Sequence, residues 1–374
     1  MAAMFRIEFL AARHGDCVWI EYGDPAHPHR ILIDGGPAFA YQALRRRVNR
    51  LPRGQRRIDL LIATHIDGDH IEGIIKLLRD RELQLSVSDI WYNGLHQLSG
   101  AATSGQRLAQ QSYGVVQGEY LSALIRARNI AWNRPFNGGP VMAAPGPLPP
   151  LVLPGEASAV ILSPAAPQLR RLRLNWDQEL LRAGLAPDST EADMQRLAAI
   201  RRLAVPSFAS GAALDVEALA AQPFSADRAP ANGSSIGLLL EYGAIRCLLP
   251  GDAHPQVIEA ALKRLPGMRQ QARLPLDLVK LPHHGSRGNI SPALLHRLCC
   301  QRYIISSDGS YFNHPDAEAI ARVIVHAPRP LELLFNYRCA RTAPWDQPEL
   351  KARYDFSTRY PEQADAGISI EFTP

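Results

Sequence analysis

Four ligand-type side chains fall within six residues in His65-Ile66-Asp67-Gly68-Asp69-His70. Neutral imidazole nitrogen and anionic carboxylate oxygen both suit divalent cations, and two of each can serve two cations without cysteine. Gly68 permits the tight backbone path such a loop needs. A lone Asp-Gly-Asp would read as a surface turn capping a helix. Two histidines beside it, directly after the apolar run Ile58 to Ala63, make a ligand cluster the better reading.

Further candidates lie downstream. Asp252 closes Leu248-Leu249-Pro250-Gly251-Asp252. Alone it reads as a helix N-cap, but beside a metal loop it becomes a carboxylate able to bridge two cations. His283 and His284 are adjacent in Pro282-His283-His284-Gly285-Ser286, so their side chains point in different directions and suit different tasks. One can bind metal while the other positions or protonates substrate. Ser286 can cap the next turn or meet substrate, and His314, before Pro315, is a second candidate proton donor. Arg45, Arg46, Arg47, Arg50, Arg53, Arg56 and Arg57 form a dense basic run. Arginine grips phosphate in a two-pronged way, which makes Arg45, Arg46 and Arg47 candidate contacts to a polyanion. The plainer reading is a solvated helix and loop.

These residues need strands to present them. Phe5 to Leu10, Val18 to Tyr22, Arg30 to Ile33, Ile58 to Ala63 and Ile90 to Tyr92 read as short strands, and Ile71 to Leu78 marks a helix face. Residues 95–230 differ: Gln106 to Arg128 and Leu169 to Leu203 read as helical, Gly138 to Pro154 as a loop, and Val160 to Pro164 as a core strand. Strand signals return at Ser235 to Tyr242, Ala244 to Leu249, Leu276 to Leu281, Tyr303 to Ser306, Leu331 to Phe335 and Ile368 to Phe372. The candidate ligands sit where strands end, so loops can bring them together over one sheet edge while the core stays dry.

Composition narrows the class. The 374 residues can bury a substantial core and allow about two domains on length alone. No apolar stretch reaches the length of a membrane span, and the N-terminal residues read as a strand rather than a signal peptide. Cys17, Cys247, Cys299, Cys300 and Cys339 are odd in number and scattered, which argues against a disulfide framework and for a reducing, cytoplasmic setting. The net charge of +5 is carried almost wholly by arginine, consistent with an acidic substrate.

The motif order resembles the metallo-β-lactamase superfamily, and within it the soluble nuclease-like domain of the ComEC competence proteins and its free-standing relatives. Gly15-Asp16, Ile33-Asp34-Gly35-Gly36, the metal loop with Asp67 in place of a second histidine, Asn232-Gly233-Ser234-Ser235, Gly251-Asp252, Pro282 to Ser286 and His314-Pro315 match in order. Three stretches depart from that pattern: His14 stands where the branch often has glutamine, Ser307 to Phe312 replaces a glycine- and asparagine-containing approach to the last histidine, and residues 95–230 have no clear counterpart except around Val160 to Pro164. The resemblance implies an α/β fold, a four-layer αββα sandwich with a largely helical insertion. Residues 1–374 then form one domain, with 95–230 an elaboration between its halves. It also implies two divalent ions, zinc or manganese. His65 and Asp67 would serve one, Asp69, His70 and His284 the other, with Asp252 bridging. Asp69, His283 and His314 would carry catalysis, and Asn232 and Ser286 would join the three arginines in binding substrate. The implied activity is hydrolysis, with a phosphodiester in a nucleic acid or nucleotide as the leading substrate. A carboxylic ester, lactone or thioester is the alternative, and a catalytically silent metal-binding interaction module is the reading from another class.

Overall fold

The computed structural model describes residues 3–98, 112–183, 214–265, 272–363 and 365–373. Two large sheets face each other. The first runs in the spatial order Ile368–Phe372, Met4–Phe9, Val18–Gly23, His29–Ile33, Leu60–Ile62, Asp89–Trp91, Ala131–Trp132. The second runs Phe356–Arg359, Leu331–Phe335, Arg302–Ile305, Leu278–Lys280, Ile245–Leu249, Gly237–Tyr242, Ser158–Ser163, Leu151–Val152.

Alternation along these strands sets the layers, because successive side chains point to opposite faces. Ile31 and Ile33 face the second sheet while Leu32 faces outward. Leu238 and Leu240 face the first sheet while Leu239 faces outward. Both faces are apolar, as expected for strands covered on two sides. Three cores result. One lies between the sheets. One joins the first sheet to the helices Tyr41–Asn49, Gly68–Arg79, Ser112–Ala127 and Ala166–Ala183. One joins the second sheet to Pro255–Leu262 and Ala317–His326. This is the αββα arrangement that the resemblance implies.

Two expected strands are split. Ile58 to Ala63 breaks at Asp59, whose buried carboxylate accepts from the Arg30 amide at 2.9 Å and pairs with Arg57 at 2.8 Å. Leu276 to Leu281 breaks at Asp277, which accepts from the Arg246 amide at 2.8 Å. A carboxylate that captures a backbone amide competes with ladder pairing. Within 95–230 helices predominate among the described residues, but the segment also supplies strands to both sheets. Residues 99–111 and 184–213, where further helix was expected, lie outside the described residues.

The parallel runs matter most for the site. In the first sheet His29–Ile33, Leu60–Ile62 and Asp89–Trp91 are parallel, and in the second Ile245–Leu249, Leu278–Lys280 and Arg302–Ile305 are. Their carboxyl ends share one edge. There Ile236 donates its amide to Thr64 O at 2.9 Å and Ser306 Oγ donates to Gly15 O at 3.1 Å, tying the sheets together.

Close backbone approach fixes the helix that follows the metal loop. The Gly35 amide donates to His70 O and the Gly73 amide to Gly36 O, both at 2.8 Å. A Cβ at Gly73 would fall 1.9 Å from Gly35 O. Backbone cannot yield there as a side chain can, so Gly73→Ala should cost about 2–3 kcal/mol in urea unfolding. A loss under 0.5 kcal/mol would show that the helix can slide away from the loop.

Candidate metal centre

Asp34 follows the strand His29–Ile33 with a left-handed φ of +59°. Its carboxylate accepts from the Thr64 amide and Thr64 Oγ1, each at 2.8 Å, and from His70 Nδ1 at 2.8 Å. Thr64 Oγ1 in turn accepts from His65 Nδ1 at 3.0 Å, because its own proton goes to Asp34. His284 Nδ1 donates to Ser306 O at 2.9 Å. All three imidazoles thus carry Nδ1–H toward a protein acceptor and turn Nε2 the other way, the tautomer of a metal-ligating histidine.

The Nε2 atoms of His65, His70 and His284 are buried and have no hydrogen-bond partner among the described residues. They lie 3.9, 3.3 and 3.7 Å from Asp252 Oδ2. Asp69 Oδ2 is 3.3 Å from His284 Nε2 and 3.7 Å from His70 Nε2, and Asp67 Oδ2 is 3.5 Å from His65 Nε2. Two groups of donors therefore share Asp252: His65 with Asp67, and Asp69 with His70 and His284. Buried polar atoms are almost always satisfied, so three orphaned imidazole nitrogens converging on one carboxylate fit a divalent cation.

His283 and His284 adopt left-handed φ of +49° and +53°, uncommon for residues with a Cβ. Gly285, at +84°, completes the turn. His283 Nδ1 donates to Asn289 Oδ1 at 3.0 Å and lies 3.6 Å from Asp227 Oδ2, while its Nε2 lies 3.8 Å from Asp252 Oδ2. His314 sits behind it at a ring distance of 5.0 Å, with Nδ1 3.5 Å from Asp316. Asn232 is buried and donates to Asp227 at 2.7 Å, so it supports His283. Ser286 is buried in the same turn and accepts from the Gly288 amide at 3.3 Å.

The arginines fall elsewhere. Arg47 is expected from sequence to meet a polyanion, but its guanidinium is 7% exposed, pairs with Glu8 and Glu21 at 2.7 Å, and covers Trp19. That leaves it no face for substrate, and the expectation is corrected. Arg45 pairs with Asp80 and Glu82 at 2.9 Å each, and Arg46 is exposed on the same helix.

Several residues of the centre have no functional reading in the sequence. Asp16 is buried against Lys280 Nζ, which also lies 3.9 Å from Asp252 Oδ1. Donor atoms of Asp16, His70, Asp252 and His284 all lie within 4.8 Å of one another. Asp16 nevertheless stands 3.5 Å from the Nδ1 side of His284 and is held by Lys280, so it supports the ring from behind. The helix Ser112–Ala127 also reaches the loop: a Cβ at Gly114 would lie 3.2 Å from Asp67 Oδ1.

Electrostatics follow from this crowding. Burial acts against a charged His284 ring, but Asp16 and Asp252 outweigh it and raise the pKa to about 9. Burial acts likewise on His70, and Asp252, Asp69 and Asp34 raise it well above the ordinary range. Burial would raise the carboxyl of Asp69, yet His70 and His284 hold it well below the usual carboxylate range.

Residues 29–146, which include the whole metal loop, match the family model described as the beta-lactamase superfamily domain. The chain is similar to the crystal structure of the metallo-beta-lactamase fold protein YhfI from Bacillus subtilis, over 100% of both chains at 10% sequence identity, with a TM-score of 0.35. No curated protein matches the chain. The superfamily fold supports a metal-dependent hydrolase at the general level. Among the described residues no helix is long and apolar enough to cross a membrane.

Two outcomes follow. Asp34→Asn should weaken zinc binding about 10- to 100-fold, because Asp34 orients His70 and, through Thr64, His65. Competition with a chromophoric chelator would measure this, and unchanged affinity would remove Asp34 from the centre. Chelator-stripped protein should release protons on taking up zinc at pH 7, since a ligating imidazole gives up its Nε2 proton. With the pKa of His284 raised above its ordinary value, the stripped protein is stabilised below about pH 6.5 and loses that contribution as pH rises through about 9. Calorimetry in buffers of different ionisation enthalpy reads the released protons, and heats independent of buffer would contradict protonated rings.

Proposed function

We propose that the protein is a two-metal phosphodiesterase. The observation that carries the reading is the pair of donor groups sharing Asp252, with three aspartates and three histidines and no thiolate. Such a set suits two zinc or manganese ions, and a metal pair clamps the attacking and leaving oxygens of an in-line displacement at phosphorus. His65 and Asp67 would hold one ion, Asp69, His70 and His284 the other, and Asp252 both. When bound, the ions lower the pKa of a water and offset the charge that develops at the scissile group.

The protein's own groups do the rest. Asp69 can orient the attacking water as well as hold metal. His283 is the better placed proton donor. Its Nδ1 is fixed by Asn289, its Nε2 faces the centre, and Asp252 and Asp227 raise its pKa against the effect of burial. A protonated imidazole can give its proton to a leaving alkoxide. Burial lowers the pKa of His314, so it takes up a proton less readily than His283, against which it packs. The motif order, the surplus of arginine and the net charge of +5 support a phosphodiester as substrate. Exposed Arg46 is the member of the original trio that remains open to a polyanion.

Asp252→Ala should abolish turnover and strip metal from both donor groups, read as zinc per chain by elemental analysis. His314→Ala should lower turnover and spare metal content. If His314→Ala strips metal as thoroughly as His70→Ala, His314 is a ligand and the roles above are wrong. The substrate is tested with single-stranded DNA, duplex DNA, RNA and a small chromogenic diester, under zinc and under manganese. Turnover of none of these, with clear turnover of a lactone or thioester by the same preparation, would replace the phosphodiester reading by the ester one.

A further inference from the structure

Among the described residues four large apolar side chains are substantially exposed: Phe39, Val152, Tyr311 and Phe312. Three of them meet in one place. Tyr311 stacks on His14 at 4.9 Å and 23°, Phe39 lies 5.5 Å from the same imidazole, and Phe312 stands edge-on to His14 at 5.7 Å. The rings come from three separate stretches: the loop before Val18–Gly23, the turn Ala38–Ala40, and the loop after Arg302–Ile305. His14 and Ser307 to Phe312 are also two of the places where the chain departs from the ComEC-like pattern, and the fold packs them together.

The patch is continuous with the metal centre. Phe312 lies 6.3 Å from His314 at 25°, His314 lies 5.0 Å from His283, and His283 Nε2 lies 3.8 Å from the shared carboxylate of Asp252. The inner pair is largely covered, with side chains of His283 and His314 18% and 12% exposed, while Phe312 and Tyr311 at the outer end are open to solvent. A row of rings thus leads from the buried donors to solvent. Tyr311 and Phe312 stand at 82° to each other, 4.5 Å apart, and form a corner. Arg13, its side chain 48% exposed, stands at the same loop, paired with Asp308 at 3.0 Å.

We infer that this corner seats an unpaired nucleobase whose adjoining phosphodiester reaches the donor atoms around Asp252, an inference that rests on the phosphodiester reading above. A flat heterocycle can stack on one ring and meet the other edge-on, the two arrangements aromatic pairs favour. An open, ring-lined corner suits a π-face better than an acyl chain, which gains most from enclosure. Stacking uses the face of a base, which a paired duplex keeps covered, so the substrate is a single strand.

The test is a titration of zinc-loaded protein into a phosphorothioate oligonucleotide carrying 2-aminopurine, whose fluorescence is quenched on stacking. Strong quenching is expected. Y311A/F312A should weaken binding by about 10-fold or more, and circular dichroism of this variant checks that the fold persists. An abasic oligonucleotide should bind wild type about 10-fold more weakly, and the double substitution should add little to that loss. A paired duplex of the same sequence should compete poorly. Equal binding of normal and abasic strands, equal competition by duplex, or undiminished quenching with Y311A/F312A would each overturn the ring seat. Cleavage separates this from the wider reading. An abasic strand cut as well as a normal one leaves the phosphodiester reading standing and overturns the base seat. A thioester hydrolysed with every diester left intact overturns the phosphodiester reading, and the quenching titration still decides the ring seat.

Discussion

Buried negative charge is the constraint around which this edge of the molecule is organised. Asp16, Asp34, Asp69 and Asp252 are each no more than 7% exposed. Among the described residues the lysine or arginine nitrogen within ion-pair reach of them is that of Lys280. The other positive partners are imidazoles. An unpaired buried ion costs several kcal/mol even after relaxation, so the cluster needs more positive charge than one lysine supplies. Protons on His70 and His284 supply it in part, and divalent cations held at the converging Nε2 atoms would supply it more fully. The same contacts that make the centre costly to fold without positive charge fit it to hold metal.

Placement follows from strand direction. Parallel strands deliver their carboxyl ends to one edge, and each delivers a different group: Asp34, the loop after Leu60–Ile62, Asp252 and the two histidines after Leu278–Lys280. The chain turns sharply to do so, with Asp34, His283 and His284 at positive φ. Such conformations cost roughly 1–3 kcal/mol each and persist where surrounding packing over-determines them. Here the hydrogen bonds that Asp34 accepts from Thr64 and His70, and that His283 donates to Asn289, hold them in place.

Much of this was legible in the sequence, for identifiable reasons. Short apolar runs bounded by turn residues show the strands, and Leu331–Phe335 and Ile368–Phe372 fall where those runs put them. The metal loop is legible because its donors are local. What escaped is what depends on distant partners. Lys280 within Leu278-Val279-Lys280-Leu281 is a charge inside an apolar strand, and that signal could have announced a buried partner. Asp227 carries no such signal, because its link to His283 spans more than fifty residues. Arg47 looked like part of a solvated basic run because Glu8 and Glu21 lie on strands far away in sequence. The splits at Asp59 and Asp277 escaped because hydrophobic periodicity does not show a side chain capturing a backbone amide.

The central claim is that two cations share Asp252. Crystals grown with zinc, measured on both sides of the zinc absorption edge, test it most directly. Two anomalous peaks are expected, one among His65, Asp67 and Asp252, the other among Asp69, His70, His284 and Asp252. A single peak, or none among these side chains, would contradict the two-metal reading.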